Sequence, residues 1–196
     1  MRRPGGADFA PGAYVFPGGT VHAGDDEWTD EIRSAAVREL FEEFGILLAR
    51  KGRRFAGRRD CEQVRSVVEG GKTFGQALRD LGLEPALDRL VYLARWVTPA
   101  QMRRRFDARF FLARLPAGQE VRPQEGEVTD WLWISPERAL SAPDVTLVYA
   151  TRTVLESVAG ETHPSRLFAQ TRRQRDVPIV EPRIVQTEKG WEIVRD

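Results

Sequence analysis

The sequence predicts one domain that mixes α-helices and β-strands, and the spacing of its apolar residues supports this. Apolar side chains recur at every fourth position over residues 31–44, as on the buried face of a helix. Helical spacing also marks residues 61–69 and 74–82. Apolar, β-rich runs at residues 90–97 and 106–115 each end beside a proline, as strands commonly do. We therefore expect an α+β fold.

The remaining elements are shorter. Residues 131–134 alternate aromatic and aliphatic side chains, so one alternating pair should belong to the core. Residues 136–140 and 148–158 carry helical patterns. Beyond them, prolines flank short apolar pieces, and we expect an extended tail over about 170–196 rather than a new domain.

The composition limits the chemistry that is available. The chain has 196 residues with 30 basic and 29 acidic side chains, and its net charge is +1. A single cysteine excludes an intrachain disulfide, and two histidines are too few for a histidine-based metal centre. A catalytic site would therefore depend on carboxylates and arginines. No apolar run spans a bilayer and none follows the basic start, so we expect a cytoplasmic protein without a membrane partner.

Three glutamates are the main candidate for a site. On the helix predicted over 31–44, Glu39, Glu42 and Glu43 stand at positions i, i+3 and i+4 and share one face. Like charges at this spacing repel, and a hard cation such as Mg²⁺ or Mn²⁺ would neutralise them. Arg38, four residues before Glu42, would brace that carboxylate. Taken alone, the helix fits a solvated acidic face equally well.

A glycine-rich turn before this helix favours metal binding over a solvated face. The turn is Phe16-Pro17-Gly18-Gly19, and its glycines let backbone atoms approach an ion or a phosphate closely. A turn of this kind followed by a three-carboxylate helix is typical of metal-assisted phosphate chemistry.

These residues resemble the Nudix hydrolase family, whose Nudix box reads Gly-x5-Glu-x7-Arg-Glu-U-x-Glu-Glu-x-Gly-U, with U aliphatic. The second half of the box matches at Arg38, Glu39, Leu40, Glu42, Glu43, Gly45 and Ile46. The first half departs from the pattern. Counted forward from Gly19, its acidic position falls on Asp25, and counted back from Arg38, it falls on Asp30. We interpret this as a short insertion, with either aspartate supporting the box arginine.

The chain looks most like the branch related to the peroxisomal acyl-CoA diphosphatases, which carry insertions in the box. That resemblance implies an α/β/α sandwich with a mixed central sheet over residues 1–196 and a helical insertion at about 60–83. Family members place a strand before the Phe-Pro-Gly-Gly loop, and on this comparison the strand is missing here. The coenzyme A signature of these relatives has an arginine eight residues before Phe16, where this chain has Asp8.

The family hydrolyses a nucleoside diphosphate linked to another group, by attack of water on phosphorus. The resemblance implies that Mg²⁺ or Mn²⁺ is held by Gly18 through its carbonyl and by Glu39, Glu42 and Glu43. It also assigns Glu42 a catalytic role. A further catalytic carboxylate is expected from the loop before Trp131, with Glu127 as the candidate and Glu125 as the alternative. Asp25, Asp30 and Arg38 would support the box.

The implied substrate is a small nucleotide diphosphate compound, with CoA and acyl-CoA among the candidates. Arg105 and Arg109 are weaker candidates for phosphate contacts, since an arginine at a sheet edge explains them equally well. The alternatives are an inactive nucleotide-binding or sensor module, and a diphosphatase acting on ADP-ribose, dinucleotides or RNA ends. A net charge of +1 argues against nucleic acid. A homodimer would cover the sheet edge that the missing strand leaves.

Overall fold

The computed structural model of the chain describes residues 1–102, 105–177, 179–187 and 190–194. Two compact units are formed, one by Met1–Leu90 with Arg114–Ala159 and the other by Val91–Ala113 with Gly160–Asp196. Each unit is described by itself below. The expectation of one domain over 1–196 stays a prediction.

The first unit contains the acidic helix, α1, which spans Glu31–Phe44 as the sequence predicts. Asp30 begins the helix, because its carboxylate accepts a hydrogen bond of 3.0 Å from the backbone N–H of Arg33. Gly45 ends it in the left-handed conformation, with φ of 67°, where a side chain would be strained. The buried face of α1 includes Val37 and Phe41.

Two helices follow and form the expected insertion. Helix α2 spans Arg58–Glu69 and α3 spans Phe74–Leu81, so the first begins three residues before the predicted start. The ring of Phe74 packs against Phe41 of α1 with centroids 5.4 Å apart. This contact fixes the insertion to the helix that carries the glutamates.

A small antiparallel sheet lies in the same unit, in the order β2-β1-β3. Its strands are β1 at Ala49–Lys51, β2 at Arg54–Phe55 and β3 at Glu84–Pro85. The apolar segment between α1 and β1 is the centre of the core, with Leu47 and Leu48 almost fully buried. Helices α4, at Pro136–Ser141, and α5, at Tyr149–Val158, complete the unit close to their predicted positions.

The segment before α1 forms no regular strand in residues 1–30, all of which are described. Isolated bridges join Arg2 to Tyr14 and to Asp130, and Tyr14 to Leu147. These bridges hold the segment that precedes the Phe-Pro-Gly-Gly turn.

The prediction that one alternating pair within residues 131–134 belongs to the core is wrong. Trp131 is half-buried beside Phe44, whereas Trp133 is 72% exposed and Leu132 is 42% exposed. The physical reason is that this segment joins no ladder beyond the bridge at Asp130. Without paired strands on both sides, nothing forces successive side chains onto opposite faces.

The second unit contains a mixed sheet in the order β5-β4-β6. Strand β4, at Val91–Val97, pairs antiparallel with β5, at Asp107–Leu112, and parallel with β6, at Ile179–Val180. A sheet with both parallel and antiparallel pairs agrees with what the resemblance to the Nudix family implies.

The C-terminal part of the second unit is only partly extended. Helix α6 spans Pro164–Arg173 and packs on β4, so the tail from residue 170 begins as helix and not as extended chain. Arg172 and Arg173 in its last turn favour the helix because cations stabilise its C-terminal end. A hairpin of β7, at Arg183–Thr187, and β8, at Gly190–Val194, follows.

No helix in the described residues has both the length and the apolar character that crossing a membrane requires.

A capping interaction at the start of α2 gives the first testable prediction. The carboxylate of Asp60 accepts a 2.8 Å hydrogen bond from the backbone N–H of Gly57 and two from Arg54. Replacing it in Asp60→Asn should lower the free energy of unfolding at pH 7 by about 1 kcal/mol. The control is Asp80→Asn on α3, which removes only an exposed pair with Lys72 and should change stability much less.

The effect should depend on pH in a defined direction. Hydrogen bonds from Arg54 lower the pKa of Asp60 below its ordinary value. The stabilisation is therefore fully present above the unfolded pKa, near 4, and is lost as pH falls through the folded value. Urea unfolding at pH 7, 4 and 2.5 should show the wild-type advantage shrinking. An advantage that grows toward acid would contradict this assignment.

Candidate active site

The box arginine lies at the centre of the site and is held by Asp25. Arg38 donates from Nε to one Asp25 oxygen at 3.0 Å and from Nη2 to the other at 3.1 Å. Both side chains are buried. Arg38 Nη2 also donates to the backbone carbonyl of Thr20 at 2.8 Å. The guanidinium thereby joins α1 to the loop that follows the glycine-rich turn.

Of the two aspartates, the structure brings only Asp25 to Arg38. Asp30 instead begins α1 and contacts Arg33. The forward count from Gly19 thus identifies the aspartate that contacts the box arginine. The inserted residues lie between Asp25 and α1, where Asp25–Glu27 form a 3₁₀ turn.

The same guanidinium contacts two of the three glutamates. Arg38 Nη1 donates to Glu39 Oε1 and to Glu42 Oε2, each at 2.8 Å. Burial alone would lower the pKa of Arg38, but hydrogen bonds to Asp25 and Glu39 outweigh burial and raise it. One permanently charged arginine thus offsets much of the repulsion among the carboxylates.

Glu43 turns away from Arg38 toward the glycine-rich turn. Its Oε2 accepts a hydrogen bond of 2.8 Å from the backbone N–H of Gly18. The residue is only 4% exposed. Its pKa is raised to about 7, mainly by burial and also by the negative charges of Glu39 and Glu127, while the hydrogen bond from Gly18 acts to lower it. Burial likewise raises the pKa of Glu42.

The turn approaches the carboxylates so closely that Gly19 has no room for a side chain. A Cβ built at Gly19 would overlap the carboxylate of Glu39. Gly18 adopts a positive φ of 153° while its N–H binds Glu43. The Phe-Pro-Gly-Gly segment and the acidic helix therefore form one site.

The loop that carries Glu127 is tied to the end of α1. The backbone N–H groups of Arg122 and Gln124 donate to the carbonyls of Phe44 and Glu43, at 2.8 and 2.9 Å. Glu127 is exposed and close enough to Glu43 to raise its pKa. Glu125, the alternative, is exposed in the same loop.

Gln119 anchors this loop, and the sequence analysis missed it. Its amide accepts from the Leu47 N–H at 2.7 Å and donates to the carbonyls of Leu47 and Ala56, at 2.9 and 2.7 Å. The side chain is buried and replaces a strand partner for the segment after α1. A single glutamine in a polar loop has no spacing or pattern that signals this role.

Arg105 and Arg109 belong to the second unit and contact acidic residues there. Arg105 donates to the Thr98 carbonyl at 3.0 Å and pairs with Glu181 at 2.8 Å. Arg109, on β5, lies 3.7 Å from Asp107. Their proposed contact with substrate phosphates stays a prediction.

The donor set of the site fits a hard divalent cation. Glu43 accepts from the N–H of Gly18, Glu39 lies beside Gly19, and Glu42 shares Arg38 with Glu39. Carboxylate oxygens suit Mg²⁺ or Mn²⁺. Among the described residues, no three acidic side chains already converge into a complete metal cage. Arg38 Nη1 binds one oxygen of Glu39 and one of Glu42.

Comparison with known proteins identifies the family. The sequence pattern of the NUDT19 Nudix domain matches residues 29–149, which include α1 and the loop of Glu127. The chain belongs to the Nudix hydrolase family. The predicted resemblance is confirmed.

Two relatives support this placement. The putative nudix hydrolase 7 of Caenorhabditis elegans is 32% identical over 142 residues, which cover 71% of this chain and 47% of the relative. The acyl-coenzyme A diphosphatase NUDT19 of Gallus gallus is 28% identical, with 71% of this chain and 54% of the relative covered. The chain spans about half the length of these curated relatives.

A solved structure confirms the predicted α+β Nudix fold. The crystal structure of a Nudix hydrolase from Alicyclobacillus acidocaldarius superposes with a TM-score of 0.73 at 26% identity. The superposition covers 86% of this chain and 85% of the other.

The buried pair of Asp25 and Arg38 yields a prediction about stability. Removing the carboxylate in Asp25→Ala leaves a buried guanidinium with less compensation and should lower the free energy of unfolding by about 3 kcal/mol. The matched control is Asp26→Ala, since that neighbouring side chain is exposed and contacts only the Gly24 N–H in the same turn. Asp30→Ala, which removes a helix cap, should cost about 1 kcal/mol. If urea unfolding shows a larger loss of stability in Asp30→Ala than in Asp25→Ala, Asp30 and not Asp25 is the main support of the box.

Proposed function

We propose that this chain is a divalent-metal-dependent Nudix diphosphatase that cleaves the diphosphate bond of a nucleoside diphosphate linked to another group. The observation that carries the proposal is that the buried Arg38 holds Glu39 and Glu42 while Glu43 binds Gly18 of the Phe-Pro-Gly-Gly turn. All three glutamates of the box are present. Their presence favours an enzyme over an inactive binding or sensor module, which would be free to lose them.

Each residue of the site would have a distinct role in metal binding. Glu39, Glu42 and Glu43, with the carbonyl of Gly18, would hold Mg²⁺ or Mn²⁺. The cation supplies charge neutralisation for the diphosphate and lowers the pKa of the attacking water. Arg38 orients the carboxylates of Glu39 and Glu42 through its hydrogen bonds.

Glu127 is our candidate for the group that accepts a proton from water. Its backbone segment is fixed to the end of α1 by the bonds at Phe44 and Glu43, so its distance from the box carboxylates is constrained. Its exposure leaves room for water beside it. Glu125 is the alternative on the same loop.

CoA or acyl-CoA is the substrate that we propose first. The support is the similarity to the Gallus gallus relative, which is an acyl-coenzyme A diphosphatase. Asp8, in the position of the relatives' signature arginine, is the departure that keeps ADP-ribose, dinucleotides and RNA ends as competing substrates. The cytoplasmic location and the homodimer stay predictions.

Hydrolysis of a substrate panel tests this function. CoA, acyl-CoA, ADP-ribose, NADH, a dinucleoside polyphosphate, a deoxynucleoside triphosphate and a capped RNA would be incubated with Mg²⁺ or Mn²⁺. Glu42→Gln should lower kcat by roughly 100-fold or more, because it removes an ionised oxygen from the site. The control is Glu31→Gln, an exposed position in the first turn of the same helix, which should leave kcat unchanged.

Two outcomes would overturn the proposal at different points. If no compound turns over with either metal, the chain is not the proposed enzyme and the binding module is favoured. If Glu42→Gln turns over as fast as wild type, the enzyme stands and the site assignment is wrong.

A substitution in the turn tests whether the close approach matters. In Gly19→Ala the new Cβ would displace the carboxylate of Glu39, so we expect a loss of kcat/KM of roughly tenfold or more with little change in unfolding. Gly5→Ala is the matched control, because a Cβ there meets nothing within 4 Å. Equal kcat/KM for the two variants would show that Glu39 tolerates displacement.

A further inference from the structure

Arg3 has a buried donor without a partner. Within the part of the chain that the structure describes, Arg3 Nε is the buried side-chain polar atom that makes no hydrogen bond. Buried donors are nearly always satisfied, and one that is not requires an explanation. For an arginine near a phosphate-binding site, one explanation is that the bound ligand supplies the missing acceptor.

The backbone places the side chain of Arg3 on the side of α1. The Arg3 N–H donates to the Ala13 carbonyl at 3.0 Å and the Val15 N–H donates to the Met1 carbonyl at 2.8 Å, as in an antiparallel pair. Alternate side chains in such a pair share a face, so Arg3 is on the face of Met1 and Arg2 on the opposite one. Met1 is buried against Phe44, next to Glu43.

Arg2 shows the contrast between the two faces. It is exposed, and its Nε donates to the Gly12 carbonyl at 3.1 Å. The two neighbouring arginines thus differ in the hydrogen bonding of their Nε atoms. Arg2 has a partner at its Nε, and Arg3 does not.

Arg3 is close to the carboxylates without being paired to them. Its charge lowers the pKa of Glu43, against the larger effect of burial. Glu43 is already bound to Gly18, and Glu39 and Glu42 are bound to Arg38. The segment that pairs with Arg3 continues directly into the Phe-Pro-Gly-Gly turn. An anion that enters beside the turn would therefore displace no partner among the described residues from Arg3 Nε.

We propose that Arg3 is a substrate-binding residue, whose guanidinium binds a phosphate oxygen of the diphosphate next to the box glutamates. The inference rests on the proposed diphosphatase function and deepens it. Arginine suits this role because its planar donors bind phosphate oxygens in pairs and its charge persists at every working pH.

The experiment compares Arg3→Gln and Arg3→Lys with Arg2→Gln as the matched control. KM and kcat are measured for the best substrate of the panel, together with the inhibition constant of inorganic pyrophosphate. Arg3→Gln should raise both KM and this inhibition constant roughly tenfold, with a smaller change in kcat, because ground-state phosphate binding is lost. Arg3→Lys should be intermediate, since it keeps the charge and loses the paired donors. Arg2→Gln should match wild type within about twofold.

Three results would overturn the inference. The first is equal KM and pyrophosphate inhibition for Arg3→Gln and Arg2→Gln. The second is an unchanged KM with a shifted pH profile, which would mean that Arg3 acts on Glu43 and not on the substrate. If Arg3→Gln fails to fold, the third result is a KM for Arg3→Lys equal to that of wild type.

Direct binding measurements distinguish failure of this inference from failure of the proposed function. If wild type hydrolyses nothing, calorimetric titration of the wild-type and variant proteins with pyrophosphate and Mg²⁺ replaces the kinetics. Binding that weakens roughly tenfold in Arg3→Gln alone would support the inference without the enzyme. Equal binding by all variants would overturn it.

Discussion

The buried guanidinium of Arg38 is the interaction on which the rest of the site depends. It contacts Asp25, the Thr20 carbonyl, Glu39 and Glu42 through its three nitrogens. Burying a charge is unfavourable unless it is paired and hydrogen-bonded throughout, and here the pairing comes from both ends of a chain segment that contains the insertion. The extra residues can therefore be accommodated without moving Asp25 away from the arginine.

Because Arg38 donates its hydrogen bonds to Glu39 and Glu42, Glu43 has a different partner. With Glu39 and Glu42 held by the guanidinium, Glu43 is left to meet the N–H of Gly18, in an environment that raises its pKa. The carboxylates are thus not equivalent, although they share one helix face. Two are hydrogen-bonded to an arginine, and the third is buried near negative charges that a cation would neutralise.

Helix α1 and its ends follow from local rules, and they agree with the sequence prediction. Asp30 caps the helix, Gly45 ends it, and the apolar spacing turns Val37 and Phe41 into the core. Distant contacts were not predictable in this way. Whether Asp25 or Asp30 meets Arg38 depends on how an inserted loop folds back, and the role of Gln119 depends on a backbone segment 72 residues away in the chain. Residues 131–134 were misjudged because alternation predicts faces only where strands pair.

The sequence by itself determined the family, the acidic helix and the identities of the glutamates, because these depend on residue types at short, regular spacings. The tertiary structure alone decided which aspartate braces Arg38, how near Gly19 comes to Glu39, and that Arg3 Nε is buried without a hydrogen-bond partner in the described part of the chain. Each of these is a contact between segments that are remote in sequence. Such contacts are selected by burial and hydrogen-bond satisfaction over the whole unit, and no local pattern records them.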